Sequence, residues 1–236
     1  MKIGLFSDPH YCKRGDVGGD RRASLSYDKI KEAFEAFKAS NVSLCICMGD
    51  LTDCPEGDTK EDTKRNLSTI MSLINSYGIP FYLVVGNHDC ISLSPKDFKM
   101  ENIDTPPYII ETEEYKFIAL DANYRSNMER FDVAGVVWDD SNLPTFQVEY
   151  LKSELANSTK PCIVLVHENL DPTVHYQHII KNAQEVREII SQSGKVKMVI
   201  QGHYHEGNHI EIDGVPYHTV KGMCQGEQNP YEILEL

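Results

Sequence analysis

The chain has 236 residues, 41% of them hydrophobic and 25% charged, which suits a globular protein read as one domain over 1–236. Its 23 basic and 36 acidic side chains leave a net charge of −13, so an extended phosphate backbone is a poor partner and nucleic-acid binding is not expected. No apolar stretch approaches the roughly 20 residues that span a bilayer. The opening MKIGLFSD turns polar too soon for a signal peptide, and the seven cysteines form no CxxC pair; the expectation is a cytoplasmic protein with reduced thiols.

The first apolar run, KIGLF (2–6), ends in SDPH, which brings Asp8 and His10. After the loop YCKRGDVGGDRR (11–22), Ile30, Ala33, Phe34 and Phe37 recur at helical spacing. VSLCICM (42–48) ends in GDLTD, with Asp50 and Asp53. Leu67, Ile70, Met71 and Ile74 mark a second helix, stopped by Gly78 and Pro80. PFYLVV (80–85) ends in GNHD, with Asn87, His88 and Asp89. YIIETEEYKFIAL (108–120) reads as a hairpin turning near Glu113. Residues 122–145 form a long irregular stretch holding the only tryptophan, Trp138, and Phe146 to Leu155 reads as a helix. PCIVLV (161–166) ends at His167. Ile179, Ala183, Val186 and Ile190 make a third helical stripe, and KMVI (197–200) ends in GHYH, with His203 and His205. HIEIDGVPYHTV (209–220) reads as a hairpin with a type I′ turn at Asp213-Gly214, and YEILEL closes as a strand.

Near-continuous apolar runs suit strands buried on both faces, and their alternation with helices argues an α/β fold with a largely parallel sheet. The extra hairpins and last strand point to a second sheet packed on the first.

All five runs end in polar groups. In a parallel sheet those ends share one edge, where ligands bind. Taken singly, each has a plain reading: GDLTD is a turn with a cap residue, GHYH a surface loop, His167 a satisfied core histidine. Taken together they form a set of imidazoles and carboxylates without an obvious thiolate, which suits divalent manganese, iron, cobalt, nickel or zinc. There are too many donors for one ion, so two ions sharing a carboxylate are expected.

SDPH, GDLTD, GNHD, VHE and GHYH, spanning Asp8 to His205, resemble the five blocks of the calcineurin-like metallophosphoesterase superfamily. The resemblance implies a four-layer α-β-β-α sandwich, two mixed sheets flanked by helices. It implies Asp8, His10, Asp50 and His205 around one metal, and Asp50, Asn87, His167 and His203 around the other, with Asp50 bridging. It leaves His88 off the metals, with Asp53 orienting it. The chemistry expected is hydrolysis of a small phosphorylated substrate: a metal-bridging hydroxide attacks phosphorus in line and His88 serves as general acid or transition-state stabiliser.

Departures narrow the reading. Purple acid phosphatases have a tyrosine ligand where this chain has Asp53; manganese enzymes of ADP-ribose-like nucleotides often have glutamine in place of His10; serine/threonine phosphatases have arginine after the second block, where this chain has Cys54-Pro55. NAQEVREII and VIQGHYHEGN are similar to small phosphoesterases related to cyclic nucleotide phosphodiesterases. A phosphodiesterase or nucleotide pyrophosphatase is therefore the leading expectation. A broad phosphomonoesterase and a non-catalytic scaffold of the same fold are the alternatives.

Arg14, Arg21 and Arg22, with Asn123, Tyr124 and Arg125, are candidates for contact with the substrate. Trp138 reads as a core anchor more readily than as a lid stacking on a base, and Cys12, Cys54 and Cys90 as buried fillers. His175, His209 and His218 are expected at the surface.

Overall fold

The computed structural model describes residues 1–16 and 21–236. In chain order the strands are β1 (Lys2–Phe6), β2 (Leu44–Cys47), β3 (Phe81–Leu83), β4 (Tyr108–Glu111), β5 (Lys116–Ala119), β6 (Cys162–Leu165), β7 (Val196–Gln201), β8 (Asn208–Ile212), β9 (Val215–Thr219) and β10 (Glu232–Glu235). The helices are α1 (Ser26–Ala39), α2 (Lys60–Asn75), α3 (Asp89–Ser92), α4 (Pro95–Met100), α5 (Phe131–Ala134), α6 (Thr145–Asn157) and α7 (Ala183–Ser193).

Two mixed sheets result. One has the order β10-β1-β2-β3 and the other β4-β5-β6-β7-β9-β8. In the first, β1, β2 and β3 are parallel and β10 pairs antiparallel with β1. In the second, β5, β6, β7 and β9 are parallel, while β4 and β8 close hairpins. The largely parallel sheet expected from the apolar runs is thus divided between two mixed sheets.

The two-residue period of each strand explains why its run is apolar throughout. Ile3, Leu5, Leu44 and Ile46 face Phe117, Ala119, Ile163, Leu165 and Ile200 in a core between the sheets. Alternate residues of the first sheet, Phe6, Cys45, Cys47 and Leu83, face the α1 and α2 stripes, including Phe34, Phe37, Leu67 and Ile70. Ile118, Cys162, Val164 and Val199 face Leu151, Leu155, Val186 and Ile190 of α6 and α7. Each sheet is covered on both faces, giving four layers.

Local chemistry sets the boundaries. Thr59 and Asp62 form a reciprocal capping box at the start of α2. Ser94 and Asp97 do the same for α4, with Pro95 in its first turn. Gly194 ends α7 in the left-handed conformation. Asp213 and Gly214, with φ of 51° and 77°, make the expected tight turn between β8 and β9. The third stripe is shorter than its apolar spacing suggests: His178 ends a 3-10 turn over Tyr176–His178, and α7 begins only at Ala183. Among the described residues no helix is long and apolar enough to cross a membrane.

Candidate active site

The C-terminal ends of β1, β2, β3, β6 and β7 meet at one edge of the sandwich. Here the backbone is strained. Asp8, His10, Asp50 and His203 have φ of 52°, 49°, 50° and 65°, a region costing about 1 kcal/mol or more for a residue with a side chain. Hydrogen bonds over-determine these positions: Asp8 N–H donates to Gly49 O at 3.0 Å and His10 N–H to Asp50 O at 2.9 Å. Two glycines allow the close approach. A Cβ on Gly86 would overlap the Asp50 carboxylate, and one on Gly202 would lie 2.9 Å from Met48 O and 3.1 Å from Asp8 Oδ2. The glycines of GNHD and GHYH make room for the next loop's carboxylates.

Side chains from the five ends converge. One oxygen of Asp50, Oδ2, lies 3.5 Å from both His10 Nε2 and His167 Nε2, between two groups of donors. On one side, His205 Nε2 is 3.2 Å from Asp8 Oδ1 and 3.2 Å from His10 Nε2. Donor atoms of Asp8, His10, Asp50 and His205 all fall within 4.8 Å of one another, and so do those of Asp50, His167 and His203. The remaining polar atoms of these residues are tied back. His167 Nδ1 donates to Met48 O at 2.6 Å, His88 N–H donates to Asp50 Oδ1 at 2.8 Å, and His203 N–H donates to Asp8 Oδ2 at 3.1 Å.

The donor set fits divalent cations. Asp8 Oδ1, Asn87 Oδ1, His167 Nε2 and His203 Nε2 are shielded from solvent and have no hydrogen-bond partner among the described residues, although buried polar atoms are normally paired. All are atoms of types that ligate metal ions, on residues that ring the same cleft.

Electrostatics agree. Burial, reinforced by His88, pushes the His10 imidazole down to about 4, and burial holds His203 well below the usual range, so both offer neutral lone pairs. Burial opposes charge on Asp8 and Asp50, but the histidines facing them outweigh it and keep both carboxylates ionised. Burial likewise opposes charge on His205, which Asp8 nevertheless raises to about 10. Carboxylates with this demand for positive charge suit a metal centre.

His88 stands beside this ring, 24% exposed, with Nδ1 2.9 Å from Asp53 Oδ1. Burial disfavours its charged form, but Asp50 and Asp53 prevail and raise its pKa above the ordinary value. Asp53 also lies 3.3 Å from His10 Nδ1 and accepts from Arg21 Nη1 at 3.0 Å. One carboxylate thus orients two imidazoles and a guanidinium. Asp89, lifted to about 6 by burial and by Asp50, accepts from Gly86, Leu51 and Thr52 N–H and clamps the second and third blocks together.

Of the arginines and the tyrosine expected near the substrate, Arg21 lines the cleft. Arg14 instead donates to Glu56 O and Asp58, and Arg22 faces Asp16. Arg125 bonds to Gly135 O, and Tyr124 packs on Phe146 with ring centroids 5.9 Å apart. Asn123 donates to Val85 O and to Asp121, bracing the strand before GNHD rather than facing the cleft. Residues 17–20 of the arginine loop lie outside the described residues. His175 and His209 are exposed, and His218 pairs with Glu232 at 2.7 Å. Burial pushes the Cys12 and Cys90 thiols up, consistent with inert fillers, whereas Cys54 is only half-buried.

Trp138 corrects the expectation of a core anchor: it is 40% exposed and lines the cleft with His178 and Tyr204. Cys224 was not expected at the site; its Sγ lies 3.6 Å from His205 Nδ1. Nothing in GMCQG signals this, because the contact comes from a return of the chain after β9. Tyr204 lies within GHYH, between two histidines whose metal-binding chemistry is the stronger signal.

Residues 1–207 match the calcineurin-like phosphoesterase family, and the chain belongs to it. It is thus a metal-dependent phosphoester hydrolase, and the family implies two divalent cations. Among curated relatives it is similar to a probable cyclic nucleotide phosphodiesterase of Psychrobacter arcticus, 23% identical and covering 86% of this chain and 70% of the relative. It is also similar to the 3',5'-cyclic adenosine monophosphate phosphodiesterase CpdA of Haemophilus influenzae, 24% identical over 95% of this chain and 77% of the relative. The fold is that of a dimetal phosphatase from Danio rerio, with a TM-score of 0.78 at 16% identity, covering 96% of this chain and 89% of that one.

Proposed function

We propose that the protein hydrolyses small phosphodiesters, cyclic nucleotides foremost, with one cation held by Asp8, His10, Asp50 and His205 and a second by Asp50, Asn87, His167 and His203. The observation that carries this reading is the set of four buried atoms on Asp8, Asn87, His167 and His203 that have no hydrogen-bond partner among the described residues, around a shared Asp50. The names of the relatives supply the diester class. Bound cations neutralise phosphate oxygens and lower the pKa of a bound water.

The chain's own groups do the rest. Arg21 Nη1, 3.3 Å from His88 Nε2, offers donors to a non-bridging phosphate oxygen at the cleft mouth. Asp53 accepts from His88 Nδ1 and, with Asp50, favours the imidazolium, in which Nε2 carries the proton that the leaving oxygen needs. His88 is within reach of substrate because it is not among the buried donor groups that hold the cations.

The test is a hydrolysis panel with manganese supplied: cyclic AMP, bis-nitrophenyl phosphate, nitrophenyl phosphate and ADP-ribose. The diesters should turn over with a higher kcat/KM than the monoester. Activity that survives complete chelation, or confinement of activity to the monoester, refutes the proposal.

A further inference from the structure

The donor ring forms only the floor of the cleft. One wall is built of rings. His178 stands 4.9 Å from His203 between ring centroids, Trp138 is 5.4 Å from His178 and 6.0 Å from His203, and Tyr204 is 5.2 Å from His178. Tryptophan ordinarily gives up most of its large apolar surface to packing. Here the indole remains 40% exposed, and it lines a cavity of about 370 Å³. Arg21, carrying the cleft's guanidinium, is among the other residues lining the cavity.

We infer that this wall is a nucleobase platform: the base of a small nucleotide ester stacks on Trp138. The inference rests on the reading that the floor handles a phosphodiester. The wall adjoins the floor through His203, whose ring packs against the indole at 6.0 Å between centroids. The cavity is of the size that small-ligand sites occupy. A simple alkyl diester would leave the indole uncovered, and a net charge of −13 disfavours a long polynucleotide. A free nucleotide satisfies both constraints. Stacking accepts any base, so the wall selects for a base ahead of a particular base.

Trp138 is the only tryptophan in the chain, so its fluorescence reports this contact directly. The manganese-loaded protein is titrated with AMP and with ribose 5-phosphate, exciting on the red edge where nucleotides do not absorb. AMP should change the emission saturably and ribose 5-phosphate should not. In parallel, kcat/KM is measured for cyclic AMP and for the cyclic phosphate of abasic ribose. Trp138→Ala should lower kcat/KM for cyclic AMP by about ten-fold or more, chiefly through KM. The preference over the abasic ester should shrink, and Trp138→Phe should restore most of it. An equal loss on both esters, or equal changes in emission with both monophosphates, overturns the inference. If neither cyclic ester is hydrolysed but AMP alone changes the emission, the platform stands and the diesterase reading fails.

Discussion

Replacing Asp53 with asparagine tests how the site is held. The Asp53 side chain is 4% exposed and faces His88 Nδ1 at 2.9 Å, Arg21 Nη1 at 3.0 Å and His10 Nδ1 at 3.3 Å. The amide of the Asp53→Asn variant would keep the shape but lose the charge, and it can accept only through its single oxygen. A hydrogen bond to a charged partner contributes about 1.5–3 kcal/mol. If His88 acts as an imidazolium, its loss of stabilisation should lower kcat by about 10- to 150-fold. The assay is steady-state hydrolysis of bis-nitrophenyl phosphate, with metal content measured on the same samples. Full metal content with reduced kcat places the effect on His88; loss of metal places it on His10. A variant with its metals and a kcat within a factor of two of wild type refutes the argument that Asp53 orients His88.

His88→Ala should retain its metals and lose about 100-fold or more in kcat, since general acids contribute on that scale; metal analysis beside steady-state kinetics checks it. Asp50→Ala should lose the metal pair, because its Oδ2 lies 3.5 Å from donors on both sides, and elemental analysis after dialysis reads this out. Ile46, fully buried between the sheets, should cost about 2–5 kcal/mol when cut to alanine, seen as a lower urea midpoint at unchanged slope. The Asp62 carboxyl is lowered to about 2, chiefly by its hydrogen bonds from Thr59. Its folded pKa lies below the unfolded one, so its contribution is present above the ordinary carboxylate pKa and is lost as pH falls towards 2. The melting temperatures of wild type and Asp62→Asn should therefore differ at neutral pH and converge in acid.

What the sequence determined by itself follows from local physics. Period-two burial on both faces produces uninterrupted apolar runs, so β1, β2, β3, β6 and β7 were legible, and so were α1, α2 and most of α7 from their helical stripes. The polar groups were legible because strand ends are nearby in sequence: a run that stops in SD, GD, GNH, H or GHYH announces its own edge. The Asp213-Gly214 turn was readable because few residues tolerate two positive φ angles in succession.

The tertiary structure alone decided the rest. Pairing across the sheets depends on contacts between residues far apart in sequence, so the hairpins and motifs pointed to a second sheet but not to which strand joins which. The positive φ angles at Asp8, His10, Asp50 and His203 are imposed by neighbouring loops and have no sequence signal beyond residue types that tolerate them. Arg14, Arg21 and Arg22 are alike in sequence; only the position of Asp16, Asp53 and Asp58 separates the one in the cleft from the two turned away. Trp138 sits 65 residues before His203 in the chain, yet it shares a wall with that histidine. A stripe or a motif reports what lies within a few residues. Which distant loop comes to stand opposite is settled by the packing of two sheets.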